Sequence, residues 1–263
     1  MELTLGMCLL IAFIAFLAGT ERFSETIYIC RPLIVCTLTG LACGDLHTGL
    51  IAGGLVELSF IGIVPVGGTA IPDAISVAIM TVVITVTQGI EVTAAFGLAF
   101  TVGYLMQYLL ILQRMAYSIF AEKTKKIAAS CNIKKMISYQ LMGYAIIGLM
   151  YAVVIFVCTY FGQDVIGVIV EHFPEPLTHG LSVAGGLLPA IGFGILLTII
   201  FRKEYLPYLI LGFVITCFID FGNILPTALI GAALALLCYY QGTKKQAAEV
   251  SETYAGGGDD EGI

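Results

Sequence analysis

The chain has 263 residues, 59% hydrophobic and only 11% charged, with a formal net charge of −6. Soluble domains carry roughly a quarter charged residues, so this composition excludes a soluble globular protein and is that of an integral membrane protein. The acidic balance says little about partners, because Glu249, Glu252, Asp259, Asp260 and Glu261 all lie near the C-terminal end, and with no basic face backed by aromatics nucleic acid is excluded as a ligand.

In chain order, residues 3–20 begin without a basic stretch and end in AGTERF, a poor cleavage site. They read as a retained transmembrane helix. Residues 26–44 are apolar but broken by Arg31-Pro32, and residues 46–72 by Glu57 and several glycines. Residues 74–90 and 205–219 are clean but short. Residues 92–113, 136–163, 177–201 and 221–243 are charge-free runs of the length, about 20 residues, that a spanning helix needs. About nine hydrophobic segments result, and no strand alternation persists. The expected fold is an all-α integral membrane protein with broken or re-entrant helices. Residues 1–245 form one transmembrane transport domain, with a broken-helix substrate region over 27–90. Residues 246–263 are polar, acidic and glycine-rich and read as a disordered cytoplasmic tail.

Basic residues orient the chain. Lys123, Lys125, Lys126, Lys134 and Lys135 form one cluster, Arg202 and Lys203 a second, Lys244 and Lys245 a third. The positive-inside rule places all three, and the C-terminus, in the cytoplasm. Five full spans before the first cluster would put the N-terminus outside; an inside N-terminus requires one segment between residues 26 and 90 to re-enter. AGGL occurs at 52–55 and again at 184–187, each followed at the same offset by a glycine, Gly62 or Gly194. Transporters built from inverted repeats carry such echoes at broken helices.

The residues that carry chemistry concentrate in GGLVELSFIGIVPVGGTAIPD, positions 53–73. Glu57 has no charged residue within ten positions on either side. A carboxylate deep in an apolar run is costly and faces a pathway or a partner. It reads as an acceptor for sugar hydroxyls, against the structural reading of a cap on a neighbouring helix end. Asp73 reads as a second ligand or as a helix N-cap. The backbone of Val66, Gly67, Gly68 and Thr69 offers amides and carbonyls at close approach. Arg31 reads as half of a structural ion pair with Glu57 or Asp45. Most of the eight cysteines lie in apolar segments, six or more positions apart, and read as packing residues. No metal-ligand spacing, nucleotide-binding motif or nucleophile–base set occurs, so neither cofactor nor catalysis is expected.

The run CRPLIVCTLTGLACGDLHTGLIAGGLVELSFIGIVPVGGTAIPDA at 30–74 resembles the signature region of the membrane IIC subunits of the mannose family of the bacterial phosphotransferase system. The matching pieces are RPL at 31–33, GD at 44–45, TG at 48–49, GG…E at 53–57 and PDA at 72–74. The likeness continues through LTHGLSVAGGLLPAIGFG and YLPYLILGF, covering roughly 240 residues. Mannose-type members usually carry histidine where Cys30 stands and asparagine where Pro65 stands; in these departures, and in the acidic end, the chain is similar to the N-acetylgalactosamine/galactosamine branch.

The resemblance implies a permease subunit in the bacterial inner membrane that does no phosphoryl chemistry itself. Its implied partners are a IID membrane subunit, in a trimer of IIC–IID pairs, and soluble IIA and IIB phosphocarriers. An amino sugar crosses by an elevator-type movement and is phosphorylated by IIB. Glu57, Asp73 and the loop Pro65, Val66, Gly67, Gly68, Thr69 fall in the substrate-facing segment, with Tyr28 as a lining residue. The rival readings are an ion-coupled secondary sugar transporter with Glu57 as proton carrier, a mannose- or sorbose-specific member of the same family, and a membrane scaffold or receptor.

Overall fold

A computed structural model of the chain describes residues 3–22, 24, 26–63, 71–129, 132–162, 175–219 and 225–255. Among these the regular structure is helical, in two compact units, Met1–Ile199 and Ile200–Ile263. The helices are α1 (Leu5–Glu21), α2 (Pro32–Cys43), α3 (Leu46–Phe60), α4 (Ala74–Gln88), α5 (Val92–Ala129), α6 (Ile133–Tyr160), α7 (Glu175–Ile200), α8 (Leu206–Phe218) and α9 (Leu225–Ala255).

Among the described residues three stretches are long and apolar enough to cross a membrane: Val92–Tyr117, Ile133–Tyr160 and His179–Ile200. The other apolar helices are shorter, which narrows the nine-segment expectation to three clear spans. Local chemistry ends them early. Arg31 and Pro32 open α2, where proline's missing N–H costs nothing, and Gly44 closes it in the left-handed region at φ 80°. Asp45 then caps α3, and Gly89, at φ 66°, stops α4. With 12 and 15 residues, α2 and α3 reach about 18 and 22 Å at 1.5 Å per residue, short of the roughly 30 Å hydrocarbon layer.

In the first unit α4 is the central element, and every residue from Ile75 to Ile84 is buried. It is enclosed by α2, α3, α5, α1 and α6. Small residues let these helices approach closely. Gly19 lies against the Tyr151 ring, and Gly148 against Phe16 and Thr20, so α1 and α6 pack backbone to side chain. Without a hydrophobic driving force between helices in lipid, such small-residue contacts are what associates them. At the end of α3, a Cβ on Gly62 would stand 2.1 Å from the Gly192 carbonyl oxygen of α7.

In the second unit a 3₁₀ turn, Lys203–Tyr205, leads into α8, and the Tyr208 hydroxyl meets Cys238 Sγ at 2.9 Å to join α8 to α9. Of the tail expected over 246–263, the part to Ala255 continues α9, and residues 256–263 lie outside the described residues. The segment after Lys245 opens with Gln, Ala, Ala and Glu, all strong helix formers, so polarity alone does not end the helix.

Candidate functional site

A cavity of about 630 Å³ opens in the first unit between α2, α3, α5, the start of α4 and the segment joining α1 to α2. Its polar lining comes from Arg22, Tyr28, Arg31, Glu57, Gln107 and Arg114; Phe60, Ile61 and Ile111 supply apolar wall.

Glu57 stands on this wall with its side chain 23% exposed. Oε2 accepts the N–H of Leu33, the second residue of α2, at 3.2 Å, so the carboxylate caps a helix whose own N-cap residue, Arg31, makes no side-chain capping bond. Oε1 accepts from Arg31 Nη1 at 3.3 Å. A carboxylate has about four acceptor positions, so two bonds leave room for a ligand hydroxyl. The ligand reading and the cap reading of Glu57 therefore fit one geometry. The Arg31 guanidinium also lies over the Tyr28 ring, 5.6 Å from its centroid, a cation–π distance.

Asp73 occupies a different environment. It is fully buried and its oxygens are filled: Oδ2 accepts the Ser76 N–H at 2.9 Å and the Ser76 hydroxyl at 2.7 Å, while Oδ1 accepts the Tyr151 hydroxyl at 2.8 Å and the Arg22 guanidinium. Four donors saturate the carboxylate. Its neighbours Pro72 and Ala74 line the cavity, but Asp73 is set behind that wall and has no acceptor left for a sugar. The expectation of Asp73 as a direct substrate ligand is corrected to N-cap of α4 and anchor of Arg22.

Asp45, the other acid offered to Arg31, is also used elsewhere. It accepts the Thr48 N–H at 3.0 Å and the Thr48 hydroxyl at 2.6 Å as the cap of α3. Arg31 pairs with Glu57, and the Arg31–Asp45 pair is corrected accordingly. The loop residues Pro65, Val66, Gly67, Gly68 and Thr69 lie outside the described residues; Ile63 and Ile71, on either side of them, both line the cavity.

The sequence reading missed four contributors. Glu21 ends α1 and is 7% exposed; its carboxylate accepts the N–H groups of Ile27 and Cys30, the latter at 3.0 Å. This ties down the segment that carries Tyr28, which holds φ 63°, a rare conformation for a residue with a Cβ. Arg22 follows at once, held by Asp73 and by the Tyr151 hydroxyl, 3.0 Å from Nη1. Gln107 and Arg114 lie seven positions apart on α5, so they share one helix face. Charged TERF after α1 was the available signal; nothing local marked Tyr151.

Two arrangements therefore repeat around the cavity. Glu57 caps α2 and holds Arg31; Asp73 caps α4 and holds Arg22. Each brings a helix N-terminus and a guanidinium to the same wall, with the Glu57 carboxylate on it and the Asp73 carboxylate buried behind it. Chemically the site can bind and orient a polyhydroxylated ligand. Among the described residues it presents no nucleophile–base pair.

Comparison with known proteins follows the same line. The family model described as PTS system sorbose-specific IIC component matches residues 5–237. The N-acetylgalactosamine permease IIC component 1 of Escherichia coli (strain K12) is 40% identical over 94% of this chain and 93% of its own length. The mannose-specific EIIC component of the same organism is 27% identical over 90% of this chain and 89% of its own. Among solved structures, one described as a membrane protein superposes with a TM-score of 0.81 at 26% identity, covering 91% of this chain and 97% of that one. The mannose transporter ManYZ in complex with microcin E492 gives a TM-score of 0.56 at 28% identity, covering 92% and 97%. The chain belongs to the sorbose-specific family of membrane IIC components of the phosphotransferase system, and the mannose-family resemblance read from its sequence is that same membership.

Proposed function

We propose that this IIC component carries an amino sugar, N-acetylgalactosamine or galactosamine, inward across the bacterial cytoplasmic membrane, where a partner IIB subunit phosphorylates it at the expense of phosphoenolpyruvate. The observation that carries the proposal is the cavity with Glu57 at its wall: a carboxylate with free acceptor positions beside Arg31, Tyr28 and Gln107, large enough for a hexosamine. The 40% identity to an N-acetylgalactosamine permease component supports the amino-sugar branch over the mannose and sorbose branches.

In this reading Glu57 accepts sugar hydroxyls, Tyr28 lines the site, and the backbone of residues 65–69 closes it. The half-length helices α2 and α3 form a re-entrant hairpin, which leaves α1, α4 and α5 as crossings before the lysine cluster, an odd number that keeps the N-terminus on the outer side. The echo at the two AGGL runs supports a repeat, since Gly53 and Gly185 both lie at close backbone approaches while Gly54 and Gly186 have open space. The chain works with a IID membrane subunit, in a trimer of such pairs, and with soluble IIA and IIB carriers. Transport proceeds by one body of the complex moving against another in an elevator fashion, with the C-terminus of this chain in the cytoplasm.

The test is phosphoenolpyruvate-dependent uptake of labelled N-acetylgalactosamine, galactosamine and mannose into vesicles holding this chain, its IID partner and the soluble carriers. Preference for an amino sugar is the expected result. Preference for mannose would place the chain in another branch, and no uptake of any hexose would overturn the reading.

A further inference from the structure

The cavity holds more positive charge than the uncharged N-acetylgalactosamine requires, and more than suits the cationic galactosamine. Arg22, Arg31 and Arg114 all line it, whereas the described residues contain ion pairs for only two of them, Arg22–Asp73 and Arg31–Glu57. The helices α2 and α4 also begin at this wall, and a helix N-terminus carries a partial positive charge. Their caps, Glu57 and Asp73, are the same carboxylates the two arginines neutralise, so the two dipoles and Arg114 remain as surplus.

Two side chains direct that surplus toward a ligand. Gln107 is 8% exposed and lines the cavity, and among the described residues its amide has no hydrogen-bond partner. Arg22 gives Nη1 to both Asp73 and the Tyr151 hydroxyl. Its Nε and Nη2, the edge that meets a carboxylate or phosphate through two parallel N–H bonds, have no acceptor among the described residues. Because Asp73 and Tyr151 are fully buried, that edge is held in place before any ligand arrives.

We propose that Arg22, Gln107 and Arg114 form an oxyanion subsite of the sugar cavity. The proposal rests on the transport reading above and adds a ligand chemistry to it. One source of the oxyanion is the phosphate of the sugar phosphate before it leaves; the other is the carboxylate of an acidic sugar taken in as substrate. Arg114 lies seven residues beyond Gln107, about 10 Å along α5 toward the lysine cluster that starts at Lys123. An anion leaving by that route passes from one cationic group to the next.

The experiment measures binding to the full chain assembled with its membrane partner, without phosphoenolpyruvate. The probes are N-acetylgalactosamine, its 6-phosphate, galacturonate and inorganic phosphate. At least one anionic sugar should bind about tenfold or more tightly than the neutral one, a difference of about 1.4 kcal/mol, and inorganic phosphate should compete with it. Preference confined to the 6-phosphate assigns the subsite to the product, and preference confined to galacturonate assigns it to an acidic substrate. R114Q, on an exposed face, should reduce the preference several-fold, and the charge-balanced double variant R22Q/D73N should remove it. Equal affinity for neutral and anionic sugars, or a preference unmoved by both variants, overturns the subsite. Transport is decided separately, because vesicles that take up no hexose with phosphoenolpyruvate would sink the transport reading whatever this binding assay gives.

Discussion

Arg22 and Asp73 are bound to each other across 51 positions of sequence, and the Tyr151 hydroxyl bonds to both. This joint ties the end of α1 to the start of α4 and the middle of α6. It depends on Gly19, whose missing side chain leaves room for the Tyr151 ring; a Cβ there would fall 2.5 Å from Cδ2.

Removing one side of this pair leaves the other charge in a buried place. R22Q should destabilise the fold by about 3 kcal/mol, the lower end for a broken buried ion pair given that Arg22 is partly exposed. The double variant R22Q/D73N should recover much of that loss, because no unbalanced charge remains. Thermal unfolding of the purified protein checks both; single variants as stable as the parent would show that the pair does not hold the helices together.

Glu57 should separate binding from folding. E57Q keeps an oxygen for the Leu33 N–H but loses the charge that holds Arg31, so uptake should fall about tenfold while assembly with the membrane partner persists. E57A removes the cap of α2 as well and should cost about 1 kcal/mol more in stability. Assembly lost in E57Q would instead make the residue structural.

Glycines at close approaches should behave unlike their neighbours. G185A would place a Cβ 2.3 Å from the Thr93 carbonyl oxygen, and G192A one 2.5 Å from that of Leu58. Both neighbours are backbone, so both variants should shift or loosen α7 and lower the unfolding temperature. G186A meets nothing within 4 Å and should be neutral or up to about 1 kcal/mol stabilising, since alanine is the better helix former. Equal unfolding temperatures for G185A and G186A would contradict this packing.

Glu91, just before the span that opens at Val92, carries a pH dependence. The Ser182 hydroxyl donates to it at 2.7 Å, and this bond, with a further one from Thr93, holds its carboxyl below the usual range. A depressed folded-state value means the contribution is complete above the ordinary carboxylate range near 4 and is lost as pH falls through the folded value. Wild type should therefore lose stability relative to E91Q on acidification below about pH 4. Parallel stability profiles for the two proteins would show that the Ser182 contact contributes nothing.

How much of this was legible varies by residue. Glu57 stood out because an isolated carboxylate in an apolar run has to be explained, and the cap on a neighbouring helix end is seen in its bond from the Leu33 N–H. Gly44 and Gly89 mark helix ends by the local chemistry that sequence carries well. Asp73 showed only half its role: a cap is a local property, but saturation by Tyr151 and Arg22 depends on helices remote in sequence. Arg22 and Gln107 were missed for the same reason. An arginine in a polar junction and a glutamine in a long helix acquire meaning only when α1, α4 and α5 meet. Of the two partners offered to Arg31, Glu57 takes it and Asp45 does not, because a cap and an ion-pair partner look alike in sequence and Thr48, three residues on, claims the Asp45 carboxylate.

Hand-over of the sugar from the Glu57 wall to phosphocarrier partners is read from the chemical form in which labelled N-acetylgalactosamine accumulates in vesicles containing the full complex, with and without a protonophore. The label should be recovered as sugar phosphate, dependent on phosphoenolpyruvate, indifferent to the protonophore and reduced in E57Q. Unmodified sugar whose accumulation collapses with the proton gradient would contradict that hand-over and make Glu57 a proton carrier.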